Sequence, residues 1–353
     1  MSYNGVACHD TVTAKQTPKL SFDKNQDYAE WKQSIEEKFI DLLGLDVIKE
    51  NACEPRFTIE EEVQKEGYKQ IRFSFYSEQG ALVPCYLLVP DNINGKLPVA
   101  ITLQGHNAMG FSSSVGRVLN HDTLDYDTGR GTFAIQAVKA GFIALAIEQR
   151  GMGERKAINT FERRVSLSGG GCYYEAMTAL TLGRTLIGER VWDISKAIDM
   201  LCNFEYCDTD KIVITGNSGG GTASYYAACY DERIKICAPS CGVCSYPESI
   251  LKFYHCSCNY IPKAYRYFDM QDLACLIAPR NLIVVAGKND TAFLVDGVKT
   301  AYSTMQEIFE KAGCKDNCKL VVTKYGHFWD VETMWSVIPQ KAKELGWALN
   351  LAK

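Results

Sequence analysis

The sequence predicts an α/β protein with a mostly parallel central sheet, helices on both faces and antiparallel strands at its N-terminal edge. Three observations predict this fold class. The alternating segment Gln70–Tyr76 and the segment Ala81–Val89 are separated by a short turn and indicate an antiparallel pair. Continuous apolar runs at Leu97–Leu103 and Phe142–Ile147 are typical of strands buried on both faces. From Gly188 onward, helix and strand patterns alternate, as expected of a parallel sheet.

Residues 1–50 are expected to form a helical N-terminal extension. The first twenty are polar and predicted to be loose. Between Gln26 and Leu45, apolar residues recur at helical spacing: Tyr28, Trp31, Ile35, Phe39, Leu42 and Leu43. Such a stripe usually packs on a core, so we expect a helix docked on the main domain, with a subunit contact as the alternative.

The second half of the chain supplies the remaining elements. The predicted helices are Gly188–Phe204, Thr222–Cys229, Val298–Ala312 and Val331–Leu345, and the predicted strands are Lys211–Thr215, Ile234–Pro239, Asn281–Ala286 and Lys319–Thr323. Two stretches, Gly105–Gly141 and Cys241–Leu276, do not follow the alternation. Long connections in a compact domain are often functional, so we expect substrate-binding loops there, with residues 241–276 as a lid-like insertion. We interpret residues 1–353 as one domain.

The composition excludes several functional classes. Hydrophobic residues make up 46% of the 353 positions, too many for a disordered chain. The 38 basic residues nearly balance 42 acidic ones, which leaves no basic surplus for nucleic acid. The first residues show no signal-peptide pattern and no apolar run is long enough for a membrane span. We therefore expect a cytoplasmic protein with neither nucleic acid nor membrane as partner. Self-association into a homo-oligomer stays open.

The strongest chemical signal is the Gly-x-Ser-x-Gly sequence Gly216–Gly220, with Ser218 at its centre. It lies between the predicted strand Lys211–Thr215 and the predicted helix Thr222–Cys229. A nucleophile elbow requires this context, because the sharp turn strains the serine backbone and projects the hydroxyl above the sheet. We interpret Ser218 as a nucleophile; the alternative is a glycine-rich turn that binds phosphate or nothing.

A nucleophilic serine needs a base, and the base needs an orienting carboxylate. Among the five histidines, His327 follows the last predicted strand, where the chain order Ser, Asp, His places the base. Asp290 ends the preceding strand and is predicted as the third member. Asp296 is the rival, although an Asp at a helix start is commonly a cap. The alternative for His327 is a structural histidine.

Two backbone N–H groups are expected to form an oxyanion hole. One belongs to Gly219 and the other to the loop Gln104–Gly110, with the His106 N–H as the candidate. Aromatic faces suit sugar rings or aromatic esters, although packing of the lid on itself would also use them. The expected substrate contacts are Gly105, Asn107, Tyr260, Phe293 and Trp329.

These motifs resemble the α/β-hydrolase superfamily. Further segments are similar to its acetyl xylan esterase-like branch, which neighbours the glucuronoyl esterases and the dienelactone-hydrolase-like enzymes: Gly183–Asp199, Gly216–Thr222, Cys256–Pro262 and Ile277–Arg280. The resemblance implies an α/β-hydrolase fold and a serine esterase without a cofactor, acting on a short acyl group such as acetate on a carbohydrate. The loop Gln104–Asn107 departs from the pattern, since it lacks the second consecutive glycine common in such oxyanion loops.

Fifteen cysteines are expected to be reduced, mostly as small core residues. Cys241, Cys244, Cys256 and Cys258 form a ligand set that zinc could use. We expect core or lid thiols and no metal there, because Cys241 lies just after a predicted strand and the resembling family uses the segment of Cys256 and Cys258 without a metal. Similarly, Arg150, Arg184, Glu189 and Arg190 are expected to form an internal salt-bridge network.

The sequence therefore predicts a serine esterase that hydrolyses a short-chain ester of a carbohydrate or small metabolite through an acyl-enzyme. The alternatives are a glucuronoyl-type ester hydrolase, a prolyl-oligopeptidase-like peptidase and a non-catalytic binding module. The peptidase class usually adds a propeller domain, and no blade repeat is present in the sequence.

Overall fold

The computed structural model describes residues 5–107, 109–117, 130–157 and 171–350, in which nine strands form one sheet. The strands are β1 (Thr58–Lys65), β2 (Tyr68–Glu78), β3 (Ala81–Pro90), β4 (Leu97–Leu103), β5 (Ile143–Ile147), β6 (Cys207–Asn217), β7 (Ile234–Ser240), β8 (Asn281–Gly287) and β9 (Cys318–Thr323). Their order across the sheet is β1-β2-β3-β5-β4-β6-β7-β8-β9.

The predicted fold class is confirmed. Strands β1, β2 and β3 pair antiparallel at one edge, β3 pairs antiparallel with β5, and every pair from β5 to β9 is parallel. Strand β1 is an addition that the sequence analysis missed. All but one of its residues are exposed, so it has no apolar alternation that could have revealed it.

Helices cover both faces of the sheet. They are α1 (Ala7–Lys15), α2 (Tyr28–Leu43), α3 (Leu45–Lys49), α4 (Phe133–Lys139), α5 (Cys172–Thr181), α6 (Leu186–Met200), α7 (Gly219–Tyr230), α8 (Ala264–Tyr267), α9 (Ala274–Ile277), α10 (Val295–Lys311) and α11 (Val331–Glu344). Alternate residues of β4 face opposite cores: Val99 belongs to the core under α2, α6, α7 and α10, and Ala100 to the core under α4 and α11.

The helical N-terminal extension is present, with two details that the sequence did not predict. Residues Ala7–Lys15, expected to be loose, form the exposed helix α1. Helix α2 buries Trp31, Ile35, Phe39 and Leu43 against the main domain, as expected of a docked helix. The ring of Phe39 lies 5.8 Å from that of Tyr226 on α7.

The two long connections contain short helices. The first holds the 3₁₀ helix Gly110–Val115 and helix α4, which the sequence analysis assigned to loop; positions 108 and 118–129 of this connection lie outside the described residues. The second, residues 241–276, holds several single-turn helices between β7 and β8. Among the described residues, no helix is long and apolar enough to cross a membrane.

Candidate active site

The sheet brings the predicted catalytic residues to one edge. Gly105 follows β4, Ser218 follows β6, Asp290 follows β8 and His327 follows β9. All four strands are parallel, so their carboxyl ends meet at the same edge, which is where open α/β sheets bind ligands.

Ser218 lies at a strained turn between β6 and α7. Its backbone has φ 57° and ψ −123°, in a region that residues other than glycine rarely adopt. The turn is close-packed: a side chain at Gly216 would collide with the backbone of Leu103 and Gly220. The elbow glycines are therefore required by close approach, and the serine is held in the conformation that projects its hydroxyl outward.

A chain of hydrogen bonds joins the three predicted catalytic side chains. His327 Nε2 lies 2.7 Å from Ser218 Oγ, and His327 Nδ1 lies 2.9 Å from Asp290 Oδ2. With the neutral imidazole protonated on Nδ1, the ring donates to Asp290 and accepts from the serine hydroxyl. Phe293 stacks nearly parallel on the imidazole, at 5.9 Å between ring centroids, and limits its rotation.

Asp290 is built to stay ionised although its side chain is only 1% exposed. Burial opposes its charged form, but the hydrogen bond with His327 and the N–H groups of Phe293 and Ala292 lower the pKa of Asp290 below its ordinary value. Its rival, Asp296, has a side chain 92% exposed and pairs with Lys299. Of these two carboxylates, only that of Asp290 contacts His327.

The loop after β4 crosses directly over the serine. A Cβ atom on Gly105 would lie 2.8 Å from the backbone oxygen of Asn217 and 3.2 Å from Ser218 Cβ. No described residue accepts a hydrogen bond from the N–H of His106, and the Gly219 N–H belongs to the first turn of α7, where N–H groups lack helical partners. The assignment of both groups to an oxyanion hole stays a prediction.

A pocket of about 230 Å³ opens beside Ser218 and His327. Gly105, Asn107 and Trp329, three of the five expected substrate contacts, line it. Tyr260 does not line this pocket, and neither does Phe293, which is 3% exposed and packs behind the imidazole. A substrate contact by Tyr260 or Phe293 stays a prediction.

The inner wall of the pocket rests on residues that the sequence did not single out. The pocket is also lined by Arg130 and Phe133, and Phe133 stacks on Trp329 with ring centroids 4.1 Å apart. Phe133 belongs to α4, a short helix in a stretch assigned to loop. Its Phe-Ala-x-x-Ala-Val spacing is helical but too short to stand out from the irregular sequence around it.

Behind the loop, a buried ion-pair network holds the elements together. Arg150 contacts Glu78 at 2.7 Å, Glu189 at 3.2 Å and Asp193 at 2.9 Å, and Arg184 contacts Glu189 at 3.0 Å. The expected network therefore exists, with Glu78 and Asp193 as additional members. Arg190 is not part of it, because its guanidinium points to the backbone of Arg150 and to thiols.

The four cysteines that the sequence offered as one zinc set do not all lie together in the structure. Cys241 lies beside Asp290 and His327, whereas Cys256 and Cys258 lie with Cys172 and His106. All fifteen cysteines fall in the described residues, and none forms a disulfide.

A model of the Abhydrolase family matches residues 2–325. The chain belongs to this family. Among curated proteins, this abhydrolase is 24% identical over 252 residues to "Putative hydrolase YtaP" of Bacillus subtilis (strain 168), covering 69% of this chain and 78% of the relative. The α/β-hydrolase resemblance expected from the motifs is thus confirmed.

Solved structures share the fold of this abhydrolase over nearly its whole length. A "putative acetyl xylan esterase" from Bacteroides fragilis NCTC 9343 superposes with a TM-score of 0.77 at 18% identity, covering 98% of this chain and 96% of that one. A glucuronoyl esterase from Solibacter usitatus superposes with a TM-score of 0.63 at 14% identity, covering 93% and 97%.

Proposed function

We propose that this abhydrolase is a serine esterase that cleaves a short-chain ester of a carbohydrate or small metabolite through an acyl-enzyme. The observation that carries the proposal is the hydrogen-bonded chain Ser218–His327–Asp290 at a strained elbow, facing a pocket. A nucleophile, a base and an orienting carboxylate in this geometry are the parts that acyl transfer needs.

In the first half-reaction, Ser218 Oγ attacks the ester carbonyl carbon while its proton moves to His327 Nε2. The N–H groups of Gly219 and His106 stabilise the oxyanion that develops on the carbonyl oxygen. When the tetrahedral intermediate collapses, the ester C–O bond breaks and the leaving alkoxide takes the proton from His327. Asp290 stabilises the imidazolium between these transfers, because it stays ionised.

In the second half-reaction, water attacks the acyl carbon as His327 Nε2 takes one of its protons. The bond to Ser218 Oγ then breaks, the serine recovers its proton from His327, and the free acid leaves. No redox cofactor or metal takes part in either step.

The dimensions of the pocket favour a small acyl group. The pocket volume of about 230 Å³ lies below the roughly 300–1,000 Å³ of most small-molecule sites. The stacked pair Phe133 and Trp329 belongs to its lining. Acetate fits there with room for part of a sugar or aryl alcohol. The similarity in fold to a putative acetyl xylan esterase and to a glucuronoyl esterase supports this substrate class.

Substitution of the nucleophile tests the mechanism. Ser218→Ala should lower kcat/KM for 4-nitrophenyl acetate by at least about 10³-fold and abolish labelling by a fluorophosphonate. Ser224→Ala is the matched control, because it removes a hydroxyl on the same helix that bonds to the Gly220 carbonyl instead of the site. A Ser218→Ala variant that retains full hydrolysis would refute the proposed nucleophile, and an unlabelled wild type would favour a binding module.

A substrate panel tests the specificity. Acetylated sugars, methyl glucuronoyl esters and simple aryl esters are compared by kcat/KM with the same preparation. The proposal expects the highest value on the acetyl esters. A higher value on methyl glucuronoyl esters would assign the alternative ester class, and cleavage of prolyl peptides alone would assign a peptidase.

A further inference from the structure

Four candidate metal ligands converge next to the elbow, and their side chains have no role in the proposed reaction. The ligand atoms of His106, Cys172, Cys256 and Cys258 all lie within 4.8 Å of one another. They come from three segments far apart in the chain: the loop after β4, the start of α5 and the connection after β7. Only two of the four, Cys256 and Cys258, belong to the zinc set considered from the sequence.

The separations suit a tetrahedral site. With zinc–sulfur bonds of about 2.3 Å and zinc–nitrogen bonds of about 2.0 Å, the ligand atoms of a tetrahedron lie roughly 3.5–3.8 Å apart. Here His106 Nε2 lies 3.2 Å from Cys258 Sγ and 3.6 Å from Cys172 Sγ. Small shifts of the side chains would therefore admit an ion, and four protein ligands would leave no open coordination position. Cys172 and Cys258 are buried, Cys256 is partly buried and His106 is exposed.

A buried cation supplies an independent reason for negative charge at this place. Arg190 is 1% exposed, its Nη2 lies 3.2 Å from Cys172 Sγ, and its Nη1 has no hydrogen-bond partner. Among the described residues, no carboxylate lies within ion-pair distance of this guanidinium. A buried charge without a counter-charge is costly. Zinc with three thiolates and one imidazole carries one negative charge, which would balance Arg190.

We propose that His106, Cys172, Cys256 and Cys258 bind a structural Zn²⁺ ion. Soft thiolates with an imidazole in a closed four-ligand site select zinc over oxygen-preferring cations. Binding releases the three thiol protons to solvent, and His106 ligates through Nε2 as a neutral imidazole.

The ion would tie the oxyanion loop to the rest of the site. The His106 ring lies against the elbow, since a Cβ atom on Gly219 would meet its Cε1 at 2.8 Å and its Nδ1 at 2.9 Å. Fixing this ring to α5 and to the connection after β7 therefore fixes the loop that carries the proposed His106 N–H donor. The role is positional, and the proposal concerns metal binding whether or not the chain is an esterase.

Metal analysis tests the proposal. The full chain is purified under reducing conditions without strong chelators, supplied with Zn²⁺, dialysed and analysed by elemental mass spectrometry. We expect about one zinc per chain in the wild type and less than about a tenth of that in Cys172→Ser and Cys256→Ser. Cys244→Ser is the matched control and should keep its zinc, because this buried thiol lies outside the cluster although it belonged to the sequence-derived set.

A second measurement needs no variant that has to fold. Wild-type chain loaded with Co²⁺ should show sulfur-to-cobalt charge-transfer absorption and the intense d–d bands of a tetrahedral ion, and Zn²⁺ should displace both. The proposal would be overturned if the wild-type chain bound no zinc and showed no such bands after loading with Co²⁺. It would also be overturned if Cys172→Ser and Cys256→Ser retained as much zinc as wild type. A disulfide between two of the three thiols that persists under reducing conditions would have the same consequence.

Discussion

Asp290 and Asp296, two carboxylates after β8, were both candidates for the residue that orients His327, and their surroundings in the structure differ. Asp290 accepts three hydrogen bonds, from His327 and from the N–H groups of Ala292 and Phe293. Asp296 points to solvent at the start of α10. In the proposed mechanism the first orients the imidazole, and the second has no contact through which it could act.

Asp290→Asn should therefore lower kcat for 4-nitrophenyl acetate by roughly 10³–10⁴-fold. The amide cannot balance the imidazolium and favours the wrong tautomer of His327. Asp296→Asn serves as the control and should stay within about twofold of wild type. Equal losses in both variants, or a loss confined to Asp296→Asn, would show that the hydrogen-bonded carboxylate is not the one that acts.

The predicted triad residues could be placed from the sequence because their positions follow the order of the strands. Ser218, Asp290 and His327 each lie just after a strand with a clear apolar pattern. The thiol cluster could not be found this way. Its members His106 and Cys258 are 152 residues apart and follow no spacing motif, so only the folded chain brings them together.

At the scale of elements, prediction succeeded for long segments with a clear apolar pattern and failed for short or exposed ones. Helix α2 and strands β4 and β9 lie within two residues of their predicted bounds. Strand β1 and helix α1 were missed because nearly all their side chains are exposed, so burial leaves no period in the sequence. Tyr260 and Phe293 do not line the pocket beside Ser218, because aromatic character in the sequence does not say which way a ring points.

Helix α2 is attached through its aromatic stripe. Phe39 is 1% exposed and lies between the rings of Tyr226 and Phe268, at 5.8 and 6.3 Å between centroids. Phe39→Ala should lower the free energy of unfolding by about 3–5 kcal/mol, because it removes the buried ring and leaves a cavity. Urea unfolding followed by circular dichroism measures the change.

Glu36→Ala on the same helix is the control for this prediction. Its side chain is exposed, so the free energy of unfolding should change by less than about 0.5 kcal/mol. A Phe39→Ala variant as stable as Glu36→Ala would mean that α2 is not held by this contact. Its stripe would then be available for a subunit contact.

At the scale of the whole molecule, two buried acids whose pKa values are shifted in opposite directions affect how the free energy of unfolding depends on pH. Asp193 pairs with Arg150 and Arg155, which overcome its burial and hold its pKa well below the ordinary range. Its contribution to stability is present at neutral pH and lost on acidification. Glu148 lies between two loops without an ion-pair partner among the described residues, and burial raises its pKa to about 7.

Glu148 joins the loop after β5 to the segment that follows the oxyanion loop. Its carboxylate accepts the N–H groups of Phe111 and Glu154, each at 3.1 Å, and Gly110 and Gly153 pack against it. The folded state binds this proton more tightly than the unfolded state, whose pKa is near 4.5. The stabilisation is therefore complete below about pH 4.5 and is lost as the pH rises towards 7.

Glu148→Gln removes this titration. Relative to wild type, the free energy of unfolding of the variant should rise by about 2.5 kcal/mol between pH 4.5 and pH 7. This is most of the roughly 3.5 kcal/mol that the shift from 4.5 to about 7 represents at about 1.4 kcal/mol per pKa unit. The substitution also removes a hydrogen-bond acceptor, which lowers the free energy of unfolding by the same amount at every pH. The titration of Glu148 therefore shows only in how the difference between variant and wild type changes with pH. Glu66→Gln, exposed in the turn between β1 and β2, should show no such slope. If the Glu148→Gln difference is flat over this range, or has the opposite sign, the buried carboxyl does not hold its proton in the folded protein.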